Sequence, residues 1–325
     1  MTRLDGALPQ DHIQAQQALD GTGYNAGREE NTWLAACVSD CWSPPSIAGR
    51  GADSGKRLPD LPEEKLSELK EKLNLPESDT AAGVRGDINR YGTNPGDTAV
   101  ELMKKNRVLG MGEFHEGDSQ FRATGIKTIE RLKAAGATHL AVEMPSDLKP
   151  LYEQFEKTGE IPDGMLTGYW NTRDFRELVT EARKAGLKVV PVDLPRPWDG
   201  KWSQRDPHMA RLVGDILDSD PNNKVVLWLG AMHVANVEGK AHDQYTTAGT
   251  VLKDRYPGQV ATMEHVRTSE RLLGLTTDLE KPTSVRTRGT AVGRLKESAY
   301  IQEDGQLPHD GWDYSVIYPV KNGKR

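Results

Sequence analysis

Short apolar runs alternate with longer amphipathic stretches from Thr98 onward. This rhythm is typical of βαβ units, which build a parallel sheet. Four of the runs are rich in Val and Leu and lack strict alternation, as expected of strands that are covered on both faces. These predicted strands span residues 107–114, 138–144, 187–194 and 224–231.

The segments between these strands place apolar residues at helical spacing, over residues 119–136, 172–186 and 205–220. Gly136 and Gly186 end two of them, as suits a helix C-terminus. A fourth helix is predicted at 248–258, and further strands at 259–266 and 312–320. We therefore predict a doubly wound α/β fold, with a mainly parallel sheet of about six strands and helices on both faces.

Residues 1–60 have a different pattern, with Gly, Ser, Pro and polar residues and no sustained periodicity. We interpret them as an irregular or disordered N-terminal extension. Residues 61–325 are then a single α/β catalytic domain that begins with an amphipathic helix at 62–75. The segment 276–311 is rich in Thr, Arg and Gly and is interpreted as a lid insertion or an exposed loop.

The composition and net charge of the chain argue against some classes of binding partner. The formal charge is −6 and the pI about 5.8, so there is no basic excess for nucleic acid or anionic lipid. We find no apolar window long enough for a membrane span and no signal-peptide pattern at the start. Cys37 and Cys41 do not make a disulfide framework, which favours a reducing compartment. We expect a soluble cytoplasmic protein; the alternative is secretion through a non-classical leader.

Acidic residues and histidines follow the four central strands. In open α/β sheets ligands bind beyond the carboxyl ends of the strands, so residues at these ends are expected to meet. The first strand ends with Glu113, His115 and Glu116, the second with Glu143, the third with Asp193 and the fourth with His233. The sequence therefore predicts one shared site.

Glu143 follows an apolar run and precedes Met144 and Pro145, which predicts that its carboxylate is buried. Burial raises the pKa of a carboxyl group unless a cation compensates. Arg122 and Arg205 are the candidate cations.

Aromatic residues and two further histidines lie near these strands. Trp170, Trp198 and Trp202 are expected to line a ligand cleft or to pack at its edge. His139 and His208 are interpreted as packing residues.

The motifs GEFHEGDSQFR, HLAVEMP, RDPHMA and GAMHVAN, over residues 107–266, resemble the erythromycin esterase, ChaN and Tiki (TraB-like) superfamily. In the esterase branch an Arg lies seven residues after the first motif His, a Glu ends the next strand, and an Arg-Asp segment precedes a second His motif. The matching residues are Glu113, His115, Arg122, Glu143, Arg205, Asp206 and His233. Esterase members usually have Gly directly after the first His, whereas this chain has Glu116 and then Gly117.

This resemblance implies hydrolysis of an ester or amide in a small-molecule or peptide substrate. Esterase members are proposed to activate water with a histidine beside a glutamate, and Tiki members are metal-dependent proteases. In a metal-free mechanism His115, oriented by Glu143 or Glu113, takes a proton from water, and Arg122, Arg205 or His233 stabilises the oxyanion. Glu116, Asp193, Trp170 and Trp198 are the candidate substrate contacts.

In a metal-dependent mechanism Glu113, His115 and His233 hold Zn, Mn, Fe or Co, and Glu143 is the base. A cation would offset the repulsion among the carboxylates, so the sequence slightly favours this version. Two other functions stay open. One is a ChaN-type protein that binds haem or a small ligand through His115 or His233, and the other is a secreted effector or toxin whose leader is residues 1–60.

Overall fold

The computed structural model describes residues 81–113, 115, 119–197, 202–236, 246–266, 279–294, 296–301, 306–308 and 311–319. The predicted N-terminal extension and the predicted helix at 62–75 lie outside these residues, and so do both cysteines. Glu116 and Trp198 lie outside them as well, and the side chain of Trp202 is not described. The leader of the effector interpretation is therefore not described either.

A central sheet of seven strands forms the core of the fold, in the order β3-β2-β4-β1-β5-β9-β6. All neighbouring strands run parallel except β6, which is antiparallel to β9. A separate antiparallel hairpin joins β7 and β8. The strands are β1 (Val108–Glu113), β2 (His139–Pro145), β3 (Lys188–Asp193), β4 (Val225–Gly230), β5 (Val260–Val266), β6 (Thr283–Arg286), β7 (Lys296–Ile301), β8 (Gln306–Pro308) and β9 (Tyr314–Ile317).

Helices cover both faces of the sheet. They are α1 (Ala81–Tyr91), α2 (Pro95–Lys105), α3 (Gln120–Ala134), α4 (Lys149–Thr158), α5 (Arg173–Lys184), α6 (Arg205–Ser219), α7 (Ala231–Val234), α8 (Ala248–Arg255) and α9 (Ala291–Arg294). Because successive residues of a strand face opposite sides, each of the strands β1 to β5 contributes to two hydrophobic clusters. Leu109 and Trp228 pack with α2 to α5 in the first cluster, whereas Ala141 and Leu227 pack with α6 to α8 in the second.

Local sequence explains where the helices begin and end. The hydroxyl of Ser119 caps α3 by accepting from the backbone N–H groups of Phe121 and Arg122. Gly136 and Gly186 follow α3 and α5 with φ angles of 103° and 83°, a conformation that glycine adopts without strain. Both predicted helix ends are thus confirmed.

The predicted fold class and all six predicted strands are confirmed, within one or two residues at most ends. Strand β6 was not predicted and lies inside the segment interpreted as a lid or loop. Its sequence TSVR is short and half polar, which gives little periodicity. Its residues Ser284 and Val285 are buried at the edge of the main sheet, so this part of the segment belongs to the core.

Within the described part of the chain, no helix combines the length and the apolar character needed to cross a membrane.

Candidate active site

The carboxylate of Glu143 lies at the centre of a group of side chains from three strand ends. Its Oε2 accepts a 2.7 Å hydrogen bond from the backbone N–H of Gly230, and its Oε1 accepts one of 2.7 Å from Arg205 Nη2. The imidazole Nε2 atoms of His115 and His233 lie 3.8 and 3.5 Å from its two oxygens. The structure therefore places His115, Glu143, Arg205 and His233, all candidate residues from the sequence, next to one another.

Glu113 forms a second centre beside the first. Its oxygens accept hydrogen bonds from Arg122 Nε at 2.9 Å, from Arg122 Nη2 at 2.5 Å and from Trp228 Nε1 at 2.6 Å. Its Oε1 also lies 3.4 Å from His115 Nδ1. Because a carboxylate can only accept, this hydrogen bond assigns a proton to Nδ1 of His115.

His115 connects groups that lie on opposite faces of the sheet. Glu113 shares a face with Leu109 of the first hydrophobic cluster, whereas Glu143 shares a face with Ala141 of the second. The ring of His115 lies at the sheet edge, with Nδ1 towards Glu113 and Nε2 towards Glu143. Its side chain is 20% exposed, so an incoming molecule can reach it.

Arg205 holds Asp193 as well as Glu143. Its Nε and Nη2 atoms donate to the two Asp193 oxygens at 2.9 and 2.5 Å. Asp193 is 1% exposed, and both of its oxygens are used in this pairing. The candidate role of Asp193 as a substrate contact is therefore not supported by its position, and it positions Arg205 instead.

His233 extends from α7, directly after β4, and pairs with Asp206 in the first turn of α6. Its Nδ1 lies 3.0 Å from both Asp206 oxygens. Asp206 Oδ1 also accepts from the backbone N–H of Ala248 at the start of α8. The sequence showed Asp206 only as part of the Arg-Asp landmark, and this ion pair gives it a function.

Charge pairing controls the protonation of both glutamates. Burial by itself raises the pKa of Glu113, but the hydrogen bonds and charge of Arg122 outweigh it and hold the pKa below its usual value. Burial also acts to raise the pKa of Glu143, and His233, His115 and Arg205 hold that pKa well below its usual value. Both side chains are therefore anions near neutral pH, and Glu143 is a weak base.

His233 has the opposite shift. Burial lowers the pKa of its imidazole, but the carboxylates of Asp206 and Glu143 outweigh burial and raise the pKa to about 10. His233 is thus an imidazolium near neutral pH. The site therefore places this cationic imidazole and the imidazole of His115 on the two oxygens of the Glu143 carboxylate.

Two glycines provide the space for this arrangement. A Cβ atom on Gly112 would lie 2.6 Å from Val234 Cγ2 and 2.8 Å from Ala231 Cα, so glycine allows α7 to pack on β1. A Cβ atom on Gly230 would lie 3.0 Å from His115 Nε2 and 3.3 Å from Glu143 Oε2. These positions are occupied by glycine because of close contacts.

Arg122 has a different partner from the one suggested by the sequence. It is fully buried, and it donates to Glu113, Asp174 and Thr172 instead of Glu143. Its side chain is 0% exposed, so it does not face the position of an oxyanion. Arg122 therefore holds Glu113 from the buried side of the site.

Trp170 is 4% exposed and contacts the ring of His115 edge-to-face, with 4.5 Å between ring centroids. It packs against this imidazole and does not line an open cleft. The sequence also gave no indication of two further residues of the site. Trp228 donates a hydrogen bond to Glu113, and Asp174 accepts one from Arg122. Tryptophan in a buried strand and aspartate in a first helical turn are common residues with structural roles.

The suggested metal ligands do not fit a metal ion in this arrangement. Glu113 already accepts from the guanidinium of Arg122 and the indole of Trp228, and the two ring nitrogens of His233 face Asp206 and Glu143. A metal ligand needs an unprotonated nitrogen and an available oxygen. Among residues that the structure describes, no group of three or more His, Cys, Asp or Glu side chains could hold a metal ion. The divalent metal stays a prediction from the sequence, and no step below uses it.

Haem is a poor fit for similar reasons. An axial histidine needs a neutral nitrogen that faces the iron. The Nε2 atoms of His115 and His233 both point towards the carboxylate of Glu143, within 3.8 Å. Haem binding also stays a prediction from the sequence.

No family model and no curated protein matches this sequence. Several solved structures are similar to this chain. A succinoglycan biosynthesis protein has a TM-score of 0.54 and 10% identity, over 80% of this chain and 97% of that chain. A protein from Bacillus cereus has a TM-score of 0.50 and 10% identity, over 79% and 97% of the two chains.

A mutant of the erythromycin esterase EreC in its open conformation has a TM-score of 0.50 and 9% identity, over 70% of this chain and 94% of that chain. At such low identity the similarity shows the fold alone. This chain therefore shares its fold with an erythromycin esterase.

Proposed function

We propose that this protein is a hydrolase that activates water for attack on the carbonyl group of an ester or amide. The observation that carries this proposal is the position of the Glu143 carboxylate between the imidazoles of His115 and His233, with Arg205 as its counter-ion. The fold that the chain shares with an erythromycin esterase supports it. The substrate we propose is a small molecule or a peptide.

His115 is the general base in this proposal. Its Nδ1–H faces Glu113, so Nε2 is the atom that receives a proton. His115 Nε2 and Glu143 Oε2 are two acceptors 3.8 Å apart, and one water molecule can donate a hydrogen to each. His115 removes the proton that faces it, and the water oxygen bonds to the carbonyl carbon.

His233 stabilises, through its positive charge, the negative charge that develops on the carbonyl oxygen. It is a cation held in place by Asp206, and its side chain is 15% exposed. Collapse of the tetrahedral intermediate breaks the ester or amide bond, and the proton on His115 passes to the leaving alkoxide or amine. The products are a carboxylic acid and an alcohol or amine, and the enzyme returns to its starting state.

Glu143 acts through its charge. Its low pKa makes it a poor proton acceptor, but its anion stabilises the imidazolium that forms on His115 during the reaction. Arg205 and Asp193 keep this anion in place. In the metal-dependent alternative Glu143 was the candidate base, and its low pKa does not support that role.

A panel of nitrophenyl esters and nitroanilides tests the proposal. We expect His115→Asn to lower kcat/KM by about 100-fold or more, because general-base catalysis contributes about 10²- to 10⁴-fold. His139→Asn is the matched control, since His139 lies at the opposite end of β2 from Glu143. Equal turnover by the wild type and His115→Asn, or no turnover of any substrate, would contradict the proposal.

A further inference from the structure

The segment 170–174, which includes the start of α5, packs against His115. Trp170 packs its ring edge-to-face against the His115 imidazole. The guanidinium of Arg122 lies over the rings of Trp170 and Phe175, at 5.4 and 5.1 Å from their centroids. This segment therefore contacts both the proposed base and the arginine that holds Glu113.

Asp174 accepts hydrogen bonds from four different residues. Its Oδ1 accepts from Arg122 Nη1 at 3.1 Å, from Thr172 Oγ1 at 2.5 Å and from the Phe175 backbone N–H at 2.9 Å. Its Oδ2 accepts from the Ser119 backbone N–H at 2.9 Å. Asp174 is 8% exposed, so these bonds are largely shielded from water.

These bonds hold the chain on both sides of His115. On one side Asp174 binds Ser119, the N-cap of α3. On the other side it binds Arg122, which in turn holds Glu113 at the end of β1. His115 lies between Glu113 and Ser119 in the sequence, so a single carboxylate restrains both flanks of the proposed base.

Arg122 also couples the charge of Asp174 to that of Glu113. The guanidinium is shared between Glu113 and Asp174. When Asp174 loses its charge, Arg122 attracts Glu113 alone, and Glu113 becomes a weaker acceptor for the Nδ1–H of His115. The tautomer of His115 then depends less strongly on Glu113.

We infer that Asp174 is a positioning residue for the proposed hydrolysis: through Arg122 and Glu113 it holds His115 with Nδ1 protonated and Nε2 ready to accept. Trp170 assists by restricting rotation of the ring. This inference rests on the proposed function for its catalytic meaning, but the tautomer that it assigns can be measured without a substrate.

The test is ¹⁵N NMR of the full chain labelled at histidine, with the His115 signals identified by their loss in His115→Asn. We expect a protonated Nδ1 and an unprotonated Nε2 in the wild type. In Asp174→Asn we expect a mixture of both tautomers. We also expect kcat on a turned-over ester to fall by about 10- to 100-fold with little change in KM, because misplaced catalytic groups cost about that much.

Two further variants separate positioning from folding. Asp215→Asn makes the same chemical change in an exposed ion pair with Arg211 and is expected to alter neither readout. Thr172→Val removes only the hydroxyl that Arg122 and Asp174 share, and is expected to give a smaller tautomer change in a folded protein. If Asp174→Asn fails to fold, Thr172→Val decides the outcome.

An unchanged His115 tautomer in the folded variants overturns this inference and leaves the proposed function intact. A mixture of tautomers in Asp174→Asn, in a protein whose wild type turns over no ester or amide, leaves the positioning intact and contradicts the proposed function.

Discussion

His233 Nε2 lies 3.5 Å from Glu143 Oε1, and each side chain shifts the protonation of the other. Against the effect of burial, Asp206 and Glu143 raise the pKa of His233 to about 10, and His233 is the strongest of the groups that hold the pKa of Glu143 low. The two residues come from the ends of neighbouring strands, β2 and β4. An anion and a cation are thus kept side by side at the edge of the sheet.

Replacing Glu143 with Gln should lower the pKa of His233 and destabilise the fold. Arg205 and His233 then lose a buried counter-ion, and removing one partner of a buried ion pair costs about 3–5 kcal/mol. A histidine ¹⁵N NMR titration measures the first effect, and urea unfolding measures the second.

The matched control is Glu153→Gln, since Glu153 pairs with Lys149 on the exposed surface of α4 at 4.0 Å. An exposed pair of this kind contributes less than about 1 kcal/mol. If His233 titrates at the same pH with and without the Glu143 carboxylate, the coupling of the two groups is refuted.

Stability should fall as pH rises from about 6.5 to about 10. The unfolded chain releases the His233 proton near the ordinary value of 6.5, whereas the folded protein keeps it until about pH 10. Between these values the folded state binds more protons, so the contribution of His233, fully present below pH 6.5, is lost as pH rises. Urea unfolding across this range should show a loss of a few kcal/mol that is absent in His233→Gln.

His139→Gln provides the control for this prediction. Burial lowers the pKa of His139 to about 4, so its stability contribution is present above pH 6.5 and lost only in acid. Its replacement should leave the slope between pH 6.5 and 10 unchanged. Parallel curves for the wild type and His233→Gln would rule out a cationic His233.

Gly230→Ala should impair catalysis in a folded protein. The new methyl group would lie 3.0 Å from His115 Nε2 and 3.3 Å from Glu143 Oε2, so one of these groups must move. We expect kcat to fall by about 10- to 100-fold. Gly86→Ala, in α1 with nothing within 4 Å of the added methyl, should keep full activity and stability. Wild-type kcat in folded Gly230→Ala would show that the space beside His115 is not needed.

Chelation should leave hydrolysis unchanged. Glu113 is held by Arg122, and both ring nitrogens of His233 face carboxylates that they already pair with, so we expect neither residue to be a metal ligand. Activity is measured before and after dialysis against EDTA, together with the metal content of the purified protein. Loss of activity that returns only when Zn or Mn is added would support the metal-dependent mechanism.

The sequence predicted the strand ends well, because buried parallel strands appear as apolar runs and their carboxyl ends share one edge. It therefore predicted that His115, Glu143 and His233 would meet. It misassigned Arg122, because residue spacing gives reach along a helix but does not show which glutamate faces that helix. Glu113 lies on the α3 face of the sheet and Glu143 on the other.

Other features of the site could not be predicted from the sequence. Asp174 resembles any acidic residue in the first turn of a helix, and its bonds to Ser119 and Arg122 depend on how α3 and α5 pack together. The cationic state of His233 depends on the nearby Asp206, which is 27 residues away in the chain. Such partners are set by tertiary packing.

The most direct test of the account is a double-mutant cycle on kcat/KM with His115→Asn, His233→Asn and the double variant. Groups that act on one reacting molecule are strongly non-additive, so the double variant should be about as impaired as the His115→Asn variant. Two large effects that multiply in the double variant would mean that the imidazoles act independently, and this would contradict a single site around Glu143.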